Sequence, residues 1–410
     1  MYLLPTALAS LRAVGAFAAS MTMACGARTG TSLGESGPTS PVLGPSAGGT
    51  TGGGTTPGDA PASLKLLDGP FPIFPKGTKI SGLKVVARSG GIDVLANHDG
   101  APFAVMARRA AVSETTPSVT WAGPAVELLP GVVGGTVAAA DGDTLEVCHH
   151  QFNGDPTSYS TFLGAYQPAT GPAMLFPGSS CQALAFREGK GLLALHKLPP
   201  NGCCSRAELF DVDGQGALLS KGPDLALPEG EFGDDRLCAY SGGFAWAGLV
   251  GGASPAMHVR FRGSGGTMPY ALAVDAPADT PDIAGWPFDA AAALSFPRGT
   301  GVRLLVVREA GQILADDTIT AAAGNHIQRA PLATSPHGLV MAYAECASDF
   351  TTKPGTLVTE LRRPDVPPLR ASVPITCPAL VPSLAVTGNV VFVAFFSGAE
   401  GQGVVLKIAP

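Results

Sequence analysis

The sequence predicts an all-β fold, a seven-bladed β-propeller with six blades as the alternative. The first observation is a repeated phrase. Pro331-Leu-Ala-Thr-Ser-Pro-His-Gly338 followed by Leu339-Val-Met-Ala-Tyr343 returns as Pro382-Ser-Leu-Ala-Val-Thr-Gly388 followed by Asn389-Val-Val-Phe-Val-Ala-Phe395. Each copy reads as a short strand, a glycine turn and a second apolar strand. Weaker copies run back to about residue 84, and a period of roughly 45–50 residues with strands in every unit marks a propeller. The second observation is composition: 54 Gly and 37 Pro, with 45% hydrophobic but only 14% charged and 7% aromatic residues. Such a mix suits short buried strands joined by many turns better than helices. The net charge of -6 and the absence of basic runs point away from nucleic acid.

The units follow in order. The first has Leu83–Arg88, the turn Gly90-Gly91, Ile92–Ala96 and Phe103–Ala107. The second has a strand from Thr136, the turn Asp141-Gly142, Thr144–Cys148 and Thr161–Tyr166. The third is the clearest, with Ala183–Phe186, Leu192–Leu195, Ala207–Phe210 and Ala217–Leu219. A fourth runs from Leu237–Tyr240 through Phe244–Leu249 and His258–Phe261 to Tyr270–Ala273. The fifth spans Ala290 to about Thr320, with an Ala-rich first strand of low β-propensity. The repeated phrases are the sixth and seventh. The last unit stops after Val404–Ile408 and lacks a fourth strand. The orphan run Leu64–Leu67 is predicted to fill that place, closing the ring and removing an exposed sheet edge.

Ahead of the repeats the composition changes twice. Residues 1–24 carry Arg12, the apolar run Ala13–Ala19 and small residues, the layout of an export signal. The segment ends Met21-Thr-Met-Ala-Cys-Gly26, which resembles the lipobox of bacterial lipoproteins. That resemblance implies that Cys25 is diacylated and becomes the mature N-terminus. With Gly26 rather than Asp after it, the resemblance also implies an outer-membrane address. The alternative is an ordinary secretory signal with an incidental cysteine. Residues 25–62 are Gly, Thr, Ser and Pro with almost no large apolar side chain, so they are expected to form a disordered linker. The propeller is assigned to 63–410.

Seven further cysteines suit an oxidising compartment. Cys148 with Cys181, Cys204 with Cys238, and Cys346 with Cys377 recur at similar separations, from the end of a second strand to the next unit's first. These pairs are expected to form disulfides between neighbouring blades on one face, leaving one of Cys203 and Cys204 spare. A vicinal Cys203–Cys204 bond with Cys238 free is the alternative.

No catalytic signature or phosphate-binding loop accompanies the repeats. Asp211-Val-Asp-Gly-Gln-Gly216 begins like a calcium loop, but Gly222 stands where a bidentate Glu is needed. The adjacent Cys148, His149 and His150 alternate faces on a strand, so no metal is expected. No cofactor is expected either. The tandem Pro-x-Leu-Ala…Gly-apolar-Ala-aromatic phrase resembles propellers of the broad neuraminidase-repeat, sialidase-like kind. The segment Ser113–Trp121 lacks that family's Asp and Gly in register, so the resemblance implies architecture and no active site. The preferred expectation is a lipid-anchored binding or scaffolding module for a protein or glycan. Its binding face is the one after each second strand, with Asn97, His98, Asp99, His149, His150, Asp155, Tyr159, Asp234, Asp235, Glu345 and Asp349 as candidates. The alternative is a polysaccharide hydrolase or lyase drawing its acids from Asp99, Asp155, Asp234, Asp235, Glu345 or Asp349. Contact with the membrane is expected through the lipid alone.

Overall fold

The computed structural model describes residues 63–409 apart from connections at 99–103, 114–118, 131–135, 153–158, 166–172, 178, 198–205, 215–216, 222–234, 251–255, 264–270, 276–280, 348–352, 378–380 and 398–399. The leader, Cys25 and the linker lie outside the described residues, as do Asp99, Asp155, Asp234, Asp349, Cys203 and Cys204.

The described strands form seven antiparallel sheets, here blades one to seven. Each is a four-strand meander or a variant of one. The first strands are Ile80–Arg88, Thr136–Asp141, Ser179–Arg187, Arg236–Tyr240, Asp282–Trp286, Leu332–Ser335 and Ser383–Thr387. Each touches the first strand of the next blade, and the last touches the first, so these strands form the inner ring. The β-propeller fold is therefore present.

Closure uses both ends of the chain. Ser63–Pro72 pairs antiparallel with Glu400–Ala409 as the fourth strand of blade seven, matching Leu64 to Ile408 and Leu66 to Leu406. It runs five residues beyond the predicted Leu64–Leu67. Alternation along it is functional: Leu64 enters the core between blades six and seven, whereas Leu67 and Phe71 pack into the core between blades seven and one.

Local chemistry explains the hairpins. In blade three, Arg187 and Lys190 pair across a two-residue turn whose residues, Glu188 and Gly189, both have positive φ (53° and 76°). This is the twist-matched hairpin turn, and glycine removes most of its steric cost.

Blade five corrects the expected register. The Ala-rich run is the second strand, Ala291–Arg298, and Asp282–Trp286 is the first. The alanines are small because their neighbours are large. Ala291 and Ala293 share a core with Trp286, Met341 and Tyr343, while Ala292 faces Tyr240, Met257 and Phe261. The true first strand is hard to read because it contains Gly285, where a Cβ would come within 2.6 Å of the Ala239 carbonyl oxygen.

Two disulfides brace neighbouring blades, Cys148–Cys181 and Cys346–Cys377. With sequence separations of 33 and 31 residues, each contributes about 3–4 kcal/mol in the chain-entropy account. The expected bridge to Cys238 is corrected: Cys238 carries a free thiol, and burial pushes its pKa up. Cys181 lies six residues before the end of its strand, but Cys238 lies two before the end of its own. Cys238 is thus deep in the apolar core between blades four and five, beside Ala245, Met257 and Ile283. The seam between blades three and four is joined instead by His196 and Asp235, whose Nε2 and Oδ2 are 3.0 Å apart.

Candidate binding channel

Three charged side chains stand on first strands of the inner ring, and each of Lys84 and Asp282 feels the charges of the other two. Lys84 comes from blade one, Arg236 from blade four and Asp282 from blade five. The charges acting on Lys84 are those of Asp282 and Arg236, on strands of the opposite side of the ring. Lys84 is exposed to solvent, yet desolvation lowers its pKa. Both hold together for a group that solvent reaches but that protein closely surrounds.

The three groups differ in how they are held. Asp282 Oδ2 accepts the Leu332 backbone N–H at 2.7 Å, and burial raises the Asp282 pKa against the opposing pull of Lys84 and Arg236. Arg236 Nη1 donates to the Asp235 carbonyl at 2.8 Å. Among the described residues no hydrogen bond or ion pair holds the Lys84 ammonium. A cavity of about 40 Å³ lies beside Arg236 and Asp282, with Arg329 and Ser295 on its wall. Arg236 and Asp282 each begin their strands, so they stand at the face where chains enter first strands. The connections after second strands lie on the same face, which is the predicted one.

The predicted site residues divide on that face. Asn97 and His98 are half-buried at the end of blade one's second strand, paired with Ser81 and Ile80. Glu345 is half-buried in blade six, opposite Ile327 and Thr356. His149 and Asp235 are buried, at 3% and 0% exposure, so neither presents itself to solvent. His150 and Tyr159 lie in strands of blade two, Thr144–Phe152 and Tyr159–Ala165. Of the acids proposed for hydrolysis, Asp235 and Glu345 are described, and they belong to separate parts of the ring, blades three to four and blade six. Glycoside hydrolysis requires two carboxyls roughly 5–10 Å apart.

Lys84, Arg236 and Asp282 were missed by the sequence reading. Lys84 is a charge inside the predicted strand Leu83–Arg88, but Arg236 stands just before the predicted Leu237–Tyr240 and Asp282 before the predicted fifth unit, so nothing local marks those two.

A second unusual carboxylate lies away from the inner ring. The third residue of each second strand that faces the following blade is Asp93, Glu146, Leu192, Ala245, Ala293, Val340 and Phe392 in blades one to seven. Asp93 is neutralised by Arg109, at 2.8 and 3.0 Å, and by Arg88. In blade two those arginine positions hold Ala165 and Asp141. Glu146 is fully buried with neither oxygen hydrogen-bonded among the described residues. Desolvation first, then Asp213 and Asp141, raise its pKa to about 7.

No protein-family model matches the sequence, and no curated protein matches it. Solved structures do. The WD40 domain of Toxoplasma gondii coronin is similar at 9% identity over 85% of this chain and 87% of that one, with a TM-score of 0.49. A neuraminidase-like protein from a Guatemalan bat isolate is similar at 9% identity over 69% of this chain and 89% of its own, TM-score 0.46. The β-propeller domain of the Trilobed protease from Pyrococcus furiosus is similar at 5% identity over 80% and 95%, TM-score 0.46.

Proposed function

We propose that this chain is an exported, lipid-anchored propeller that works as a binding module, receiving an acidic group of a protein or glycan at the mouth of its channel. The observation that carries this reading is the exposed Lys84, which has no hydrogen bond or ion pair among the described residues and feels the charges of Asp282 and Arg236 from across the ring. The protein carries a net charge of -6, so an excess of cations on the inner ring is a local inversion that focuses field on an anion. The disulfides support export into an oxidising compartment. They also brace the chosen face, which reduces the ordering cost of binding there.

The anchor rests on Ala24-Cys25-Gly26. Metabolic palmitate labelling is expected to disappear in Cys25→Ala, and label retained by that variant refutes the anchor. The site is tested on an array of acidic and neutral glycans and peptides. Ligands retained by the wild type are expected to weaken about tenfold or more in Lys84→Gln and in Arg236→Gln. Undiminished retention by both variants would place binding elsewhere.

A further inference from the structure

Blade one differs from the others at its outer edge. Its fourth strand is broken into Val119–Trp121 and Val126–Pro130, both paired to Ala104–Val112. That third strand carries consecutive arginines, and an extended backbone sends them to opposite faces. They meet opposite fates. Arg109 is held by both oxygens of Asp93.

Arg108 is held by no acid among the described residues. Its Nη1 donates to the Ile73 carbonyl, and its guanidinium lies over the Trp121 ring, 4.2 Å from the centroid. Nε is buried without a partner. Nη2 makes no hydrogen bond among the described residues and is the donor left for an anion that enters from solvent. The arrangement is costly unless filled, because a half-buried cation is better solvated by an anion than by a ring face and one carbonyl. Burial lowers the Arg108 pKa, in keeping with incomplete solvation of its charge.

Arg108 lines a cavity of about 370 Å³ between this strand and residues 68–76, the end of the closing strand and the segment after it. That volume is within the range of small-molecule sites. Phe71, Phe74, Val119 and Trp121 supply apolar wall, and exposed Lys76 places a second cation on the rim. The wall is rigid: Phe71, Trp121 and Phe392 pack edge-on or tilted with centroids 6.1–6.4 Å apart. Asp68 also lines the cavity and makes no ion pair with Arg108.

We propose that this flank cavity is a second binding site, taking a small carboxylate whose body has an apolar face, such as an acidic sugar ring. Arg108 grips the carboxylate, Lys76 adds charge at the rim, and the aromatic wall receives the ring. The site is separate from the channel.

Trp121 is a built-in reporter, since it is half-buried in the cavity wall while Trp246 and Trp286 are in the core. The experiment follows tryptophan emission during titration with galacturonate and with benzoate, each compared with an uncharged counterpart, galactose or benzyl alcohol. At least one carboxylate is expected to give a saturable change at about tenfold lower concentration than its neutral partner. Arg108→Gln is expected to weaken it about tenfold or more, Arg108→Lys less, and Lys76→Gln a few-fold, while Lys84→Gln leaves it unchanged. Lys76 is exposed, so that variant stays informative if Arg108→Gln does not fold. The proposal is overturned if neither carboxylate saturates, if neutral and charged partners bind alike, or if the Arg108 and Lys76 variants respond as the wild type does.

Discussion

Deleting residues 1–62 is expected to leave the thermal midpoint of the head unchanged, whereas deleting 1–72 is expected to lower it by about 10 °C or more. Ser63–Pro72 covers the edge of Glu400–Ala409. Its loss removes Leu64, Leu67 and Phe71 from two inter-blade cores. Removing one buried side chain of this kind typically costs about 2–5 kcal/mol. In a chain of this size each kcal/mol moves the midpoint by roughly 2–4 °C at most. The uncovered strand also becomes an unpaired edge, so the larger deletion should aggregate more readily. A synthetic peptide spanning 63–72, added in trans, is expected to restore part of the midpoint. Equal midpoints for the two truncations would contradict a closing role for this strand.

Glu146→Leu is expected to stabilise the protein, and more so as pH rises. The group's folded pKa is about 7 against an ordinary value of 4.5. A raised carboxyl pKa gives a contribution that is fully present below pH 4.5 and is lost as pH rises through about 7. Across that window the ionised carboxylate costs on the order of 3 kcal/mol as an upper bound. Leucine is what blade three carries at the same position, Leu192, and its surroundings are the same kind of core. Denaturant midpoints at about pH 5 and about pH 8.5 check this: the gap between variant and wild type should widen on the alkaline side. Asp235 and Asp282 also have raised pKa values, so the variant keeps part of the wild-type slope. A gap that is constant with pH would mean that Glu146 does not titrate in this window.

The parts of this fold visible in the sequence were those with a short local cause. Repeated glycine turns between apolar strands revealed the blades, and Leu64–Leu67 stood out because the last unit lacked a partner. Cys148–Cys181 and Cys346–Cys377 follow from their repeated place at the seam. What failed had a tertiary cause. The Ala-rich second strand of blade five is β because aromatic side chains from both neighbouring blades demand small residues there. Cys238 is unbridged because its depth along the strand, invisible in a count of separations, places it in a core. The channel charges were hidden for a related reason. Lys84, Arg236 and Asp282 are far apart in the chain, and only closure of the ring brings their charges together. Arg108 and Arg109 look equivalent in sequence, and only the pairing of Asp93 separates them.

The direct test of the channel is the titration of Lys84 itself. Lysines reductively methylated with labelled formaldehyde give separate resonances, and the Lys84→Arg variant identifies the one that is missing. If solvent reaches Lys84 but protein closely surrounds it, its resonance is present, titrates below those of the surface lysines, and moves when an acidic ligand from the array is added. A Lys84 resonance that titrates together with the surface lysines, or one indifferent to every such ligand, would contradict the account.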